Sequence, residues 1–160
     1  MKKETRFLTE GALIAALYIA LTFLSRAVGL DSGAVQLRLS EALTVLPVFT
    51  SAAVPGLFVG CLLANTLTGC AVWDVVFGAA ATLLGAFGTK LFAQKKRRLA
   101  PIFPIITNTA IVPVILKTVY GTKMAYPLLC LAIFIGELIS CGILGQTLIG
   151  IIEKSGVFKK

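Results

Sequence analysis

Charged residues punctuate a mostly apolar chain, leaving charge-free runs at 11–25, 42–73, 75–89, 99–116, 124–136 and 138–152. A helix rises 1.5 Å per residue, and crossing a ~30 Å hydrocarbon core takes about 20 apolar residues. The runs and their flanks predict helix 1 at 7–27, helix 4 at 73–92, helix 5 at 101–119 and helix 6 at 126–152. Pro113 predicts a kink in helix 5. The run 42–73 is too long for one crossing, and Val54-Pro55-Gly56 interrupts it, so it predicts two short helices at 39–51 and 55–67. A re-entrant hairpin is the alternative, and either arrangement returns the chain to the same side. The expected fold is therefore an all-α integral membrane protein, residues 1–160 forming one domain of six transmembrane helices with the central two short.

Composition strengthens that reading. Of 160 residues, 58% are hydrophobic and only 14% charged, against ~25% charged in soluble domains, and mean hydropathy is +0.95. So few charges cannot cover a globule of this size. A soluble enzyme, a nucleic-acid-binding module and a disordered tail are excluded. Net charge is +8, and its placement sets orientation. One side collects Lys2, Lys3, Arg6, Lys90, Lys95, Lys96, Arg97, Arg98, Lys154, Lys159 and Lys160; the other holds Arg26, Arg38, Lys117 and Lys123. Both termini are expected in the cytoplasm, with Lys95–Arg98 as a topology anchor rather than a nucleic-acid patch. The basic N-terminus is read as mature helix 1 and not as a signal peptide: Glu10 interrupts its start and no small-residue cleavage site follows.

Polar residues inside lipid are costly unless they serve a partner, a cavity or a substrate. On this topology Arg38, Ser40 and Glu41 open helix 2, Asn65 stands near the end of helix 3, and Trp73 and Asp74 open helix 4. Glu137 lies ~17 Å along helix 6, with Asn108 at a similar depth on helix 5. These groups gather in the outer half, as a pocket for a small polar solute would require. Each has a plainer reading. Arg38 and Glu41 can pair at the interface, Asp74 can cap helix 4, and Asn65 can bond a neighbouring helix. Trp73, Tyr120 and Tyr126 suit an interfacial belt, and Lys117 and Lys123 suit snorkelling anchors. Glu137, a carboxylate in mid-helix, points most directly to function.

Ala12, Ala16 and Ala20 recur every fourth residue on helix 1, a flat stripe that lets another helix approach closely, within this chain or outside it. The chain has no histidine and no G-x-x-x-x-G-K-[ST] or G-x-S-x-G motif. Metal-ligand clusters and C-x-x-C pairs are missing too, although four cysteines are present (Cys61, Cys70, Cys130, Cys141). No cofactor, metal or catalytic group is expected, and energy for uphill transport would come from elsewhere.

Three stretches carry a family likeness: Val35-Gln36-Leu37-Arg38-Leu39-Ser40-Glu41-Ala42-Leu43-Thr44-Val45-Leu46-Pro47, Val54-Pro55-Gly56-Leu57-Phe58-Val59-Gly60-Cys61-Leu62-Leu63-Ala64-Asn65, and Asp74-Val75-Val76-Phe77-Gly78 running into Ala81-Thr82-Leu83-Leu84. They resemble the QueT family, the queuosine-precursor substrate-binding (S) components of energy-coupling factor (ECF) transporters. The resemblance implies a protein of the bacterial cell membrane that binds a 7-deazaguanine such as 7-aminomethyl-7-deazaguanine from outside. It also implies docking on a transmembrane coupling subunit driven by two cytoplasmic ATPases, with Ala12, Ala16 and Ala20 fitting the A-x-x-x-A contact motif. Glu41 or Glu137 suits the donor edge of such a base, Asp74 its aminomethyl group, Asn65 and Asn108 its carbonyl, and Trp73 or a phenylalanine its ring face. The competing reading is a self-sufficient permease coupled to protons through Glu137 or Asp74.

Overall fold

A computed structural model describes residues 3–31, 35–93 and 96–156. The apolar runs become six helices, and no strand occurs among the described residues. Helix α1 covers Lys3–Ala27, α2 Leu39–Val48, α3 Ala53–Leu67, α4 Val72–Phe92 and α5 Ile102–Thr118. Helix α6 runs Tyr126–Ser155, and a short turn, Arg97–Leu99, precedes α5. Boundaries match expectation within a few residues, the largest difference being α1, whose helix starts four residues earlier. Helices α1, α4 and α6, and α5 taken with the turn before it (Arg97–Thr118), are long and apolar enough to cross a membrane, while α2 and α3 are shorter.

Helix α2 is the central post. Every residue from Ser40 to Val48 is buried, and α1, α3, α4 and α6 stand around it. A helix enclosed on every side needs side chains that are apolar or hydrogen-bonded, and its buried Ser40, Glu41 and Thr44 each have a partner. It winds as a 3₁₀ helix, whose ~2.0 Å rise carries ten residues about 20 Å instead of about 15 Å. A short segment thereby gains depth.

Helix α3 returns along α1. A Cβ at Gly56 would lie 2.7 Å from the Gly11 carbonyl oxygen, and one at Gly60 would lie 2.8 Å from Cβ of Tyr18. Gly56-x-x-x-Gly60 is thus a close-packing face, with dispersion contacts replacing the hydrophobic drive that lipid cannot supply. Helix α1 answers with Gly11, Ala15 and Tyr18, and Ala12, Ala16 and Ala20, on another side of α1, are exposed. Of the two readings of that stripe, packing within the chain does not apply. At one end of the bundle Arg26 Nη1 donates to the Thr68 carbonyl (2.9 Å). Toward the other, Thr50 Oγ1 in the α2–α3 turn donates to Glu10 Oε2 (2.6 Å). Helices α2 and α3 therefore leave and return to the same end, as expected.

Helix α6 departs from regular geometry. Residues Leu138–Leu144 form a π-helical stretch immediately after Glu137. Such wide turns insert an extra residue into the helical repeat and change which side chains face inward; here Ser140 and Cys141 are both buried. The approach is tight on either side. A Cβ at Gly136 would meet the Gln36 carbonyl oxygen at 2.2 Å, and one at Gly145 would meet Val45 Cγ1 at 2.8 Å.

Candidate ligand-binding site

The buried polar side chains converge where α1, α2, α4, α5 and α6 meet. Glu41 is buried on α2. The Tyr18 hydroxyl of α1, itself fully buried, donates to Glu41 Oε1. Asn108 Nδ2 on α5 donates to Glu41 Oε2 (3.3 Å) and to Glu137 Oε1 of α6 (3.0 Å). One amide thus spends both N–H groups bridging two carboxylates. Glu137 Oε2 accepts from the Cys141 thiol (3.0 Å), which the π stretch brings inward. Thr44 Oγ1 donates to the Glu41 carbonyl (2.5 Å), and Ser40 is held by Thr22 of α1 (2.9 Å).

Arg38 does not form an ion pair with Glu41: among the described residues the pairs within 4 Å are Arg6–Glu10 and Arg97–Glu153. Its guanidinium instead donates to Asn65 Oδ1 (3.3 Å). Asn65 is buried on α3 and donates in turn to Cys61 Sγ (3.7 Å), so it backs the site through Arg38. Asp74 is the third residue of α4, with Ala71 at the cap position. It accepts from the Tyr120 hydroxyl (2.8 Å), which also receives the Ala71 N–H (3.1 Å). Tyr120 therefore does more than sit in an interfacial belt: it ties the loop after α5 to the start of α4. Burial, and then its bond to Asp74, pushes the phenol up to about 12, so it stays a donor at neutral pH. Lys117 likewise staples this loop through the Thr122 and Met124 carbonyls (3.0 and 3.1 Å).

Two connected spaces result. The inner cavity, about 30 Å³, is walled by Arg38, Glu41, Asp74, Asn108 and Glu137 with Cys61 and Thr82. It has room for about one water. Above it opens a vestibule of about 520 Å³, reaching Arg26, Asp31, Thr68, Cys70 and Tyr120. Gln36, Arg38, Asp74 and Val112 border both spaces. The vestibule has the size of a small-molecule site, and the inner cavity must widen to admit a base. Three acidic side chains stand against one guanidinium, a surplus of acceptor oxygens that a ligand bearing donors or a cation would meet.

Of the residues singled out in the sequence, Arg38, Glu41, Asp74, Asn108 and Glu137 come together, and Asn65 stands behind them. Trp73 does not join them. It is 60% exposed, stacks on Phe77 (centroids 5.9 Å apart) and lines a separate apolar groove between α4 and α5. Sequence reasoning missed Tyr18, Cys141 and Thr82, which sit in apolar runs and gain a role only through neighbours on other helices. Glu41, Glu137 and Cys141 also present ligand atoms within 4.8 Å of one another. In this structure these atoms take part in hydrogen bonds with Tyr18, Asn108 and one another.

This arrangement is a polar cleft reached from one end of an apolar helical bundle, with the size and chemistry to accept a small polar molecule. No curated protein and no solved structure matches the chain. The family model for the QueT transporter matches residues 8–154, spanning every helix around the cleft. The chain therefore belongs to the QueT transporter family, as a multi-pass membrane protein.

Proposed function

We propose that this transporter is the substrate-binding component of an ECF-type importer for a queuosine precursor of the 7-deazaguanine type. The observation that carries the reading is the Glu41–Asn108–Glu137 network beneath Arg38 and Asp74. A 7-deazaguanine presents N1–H and an exocyclic amine side by side, and a carboxylate accepts both in parallel. A protonated aminomethyl group would then face a second acid. Asp74 suits that role, since it borders the vestibule and its Tyr120 bond uses only Oδ2. Arg38 offers donors for the ring carbonyl, and Asn108 offers one when the ligand displaces one of its two carboxylate bonds. The ligand enters through the vestibule from outside and widens the inner cavity by displacing internal hydrogen bonds.

The exposed Ala12–Ala16–Ala20 stripe suits docking on a transmembrane coupling subunit, itself driven by two cytoplasmic ATPases. The chain has no phosphate-cradling loop of its own. Both termini lie in the cytoplasm on this reading. Two experiments test it. Mass spectrometry of the small molecule retained by gently purified protein should find a deazaguanine. Uptake in cells lacking the coupling subunit and ATPases should vanish, whereas persistent uptake there would mean a self-sufficient permease.

A further inference from the structure

The end of the bundle opposite the vestibule carries a second polar cavity, of about 830 Å³, between the Arg97–Leu99 turn and the last turns of α6. It is assembled by specific bonds. Gln146 Nε2 donates to the Arg98 carbonyl (2.6 Å), Arg97 Nη1 pairs with Glu153 (2.8 Å), and the Arg97 guanidinium lies 4.8 Å from the Phe49 ring centroid. These contacts pin the turn against α6 and the end of α2. Arg97 is thereby engaged, while the side chains of Lys96 and Arg98 have no partner among the described residues. Three cations against Glu153 leave a surplus of two positive charges. Leu99 and Ile149 supply apolar wall, and nothing approaches within 4 Å of a Cβ placed on Gly150.

We propose that this cavity holds the phosphate headgroup of an anionic phospholipid, with Lys96 and Arg98 on the phosphodiester and an acyl chain running past Leu99 and Ile149. Position and chemistry agree. The cavity lies where α4 ends and α5 begins, about 30 Å of helix away from the vestibule end, which is headgroup depth. A basic pocket between helices at that depth matches an anionic headgroup. A soluble phosphate would gain nothing from the apolar wall. The inference is independent of which solute the protein carries.

The test is native mass spectrometry of the full chain from bilayers of equal phosphatidylglycerol and phosphatidylcholine with identical acyl chains. One phosphatidylglycerol per protein should be retained in preference to phosphatidylcholine. The Lys96→Gln/Arg98→Gln double variant should lose that preference by roughly tenfold or more, and Arg6→Gln, outside the cavity, should keep it. Both side chains are exposed, so the double variant should melt like the wild type. Equal retention of the two lipids, an unchanged double variant or an equal loss in Arg6→Gln would overturn the proposal. Displacement of the lipid by millimolar glycerol phosphate would instead show a site for soluble phosphates.

Discussion

Tyr18 and Glu41, 23 residues apart, are joined by a direct hydrogen bond from phenol to carboxylate in the middle of the bundle. The bond links α1, whose outer face carries the alanine stripe, to the acid at the centre of the polar network. Tyr18→Phe keeps the ring and deletes the donor, leaving a buried carboxylate oxygen with one partner fewer. The expected cost is ~1–3 kcal/mol, read as a lower melting temperature in detergent together with weaker ligand binding. An unchanged melting temperature would contradict a stabilising bond between Tyr18 and Glu41.

The Asn108 amide donates to the carboxylates of both Glu41 and Glu137. Asn108→Ala removes two donors from two carboxylates, and Asn108→Asp adds a third carboxylate between them. Both should lower stability, the aspartate more, because like charges at hydrogen-bond distance repel strongly where water is scarce. Ranking the two by thermal unfolding checks the bridge, and an aspartate variant as stable as the wild type would contradict it.

Gly56 and Gly60 predict a contrast with Gly150. Gly60→Val forces Cβ against Tyr18 and Ala15, where the nearest atoms lie at 2.8–3.1 Å, so α1 must move; ~1–3 kcal/mol is a typical overpacking cost. Gly150→Ala meets open space in a helix interior and should be neutral or stabilising by up to ~1 kcal/mol. Unfolding of the two variants side by side separates packing from helix propensity.

The native cysteines test orientation. Cys70 lines the vestibule, whereas Cys61 and Cys141 are buried. A membrane-impermeant maleimide applied to intact cells should label Cys70 and spare the other two. Labelling of Cys70 only after permeabilisation would put the vestibule on the cytoplasmic side.

How much of this was legible in the sequence depends on the kind of signal. Glu137, Asn108 and Asp74 stand out because a polar group in an apolar run is costly and needs a reason. The short α2 and α3 were readable from Val54-Pro55-Gly56. Tyr18 was not, since a tyrosine among alanines and leucines suits lipid interface and core equally, and its partner lies on another helix. The π stretch that turns Cys141 inward left no local signature: Leu138–Leu144 reads as ordinary apolar helix. For Trp73 both an interfacial belt and a stacking platform were open; consecutive helix residues point about 100° apart, so beside the buried Asp74 it faces outward, as a belt residue does. The close-packing role of Gly56-x-x-x-Gly60 went unread in the sequence and is evident only in three dimensions, where α1 lies against it.

The central claim is that the acids around Asn108 hold the transported solute, and equilibrium binding of 7-aminomethyl-7-deazaguanine to purified protein tests it most directly. Wild-type protein should bind, and Glu41→Gln, Asp74→Asn and Glu137→Gln should each weaken binding roughly ten- to hundredfold while remaining folded. If all three variants bind as the wild type does, the solute sits elsewhere and the assignment of this cleft is wrong.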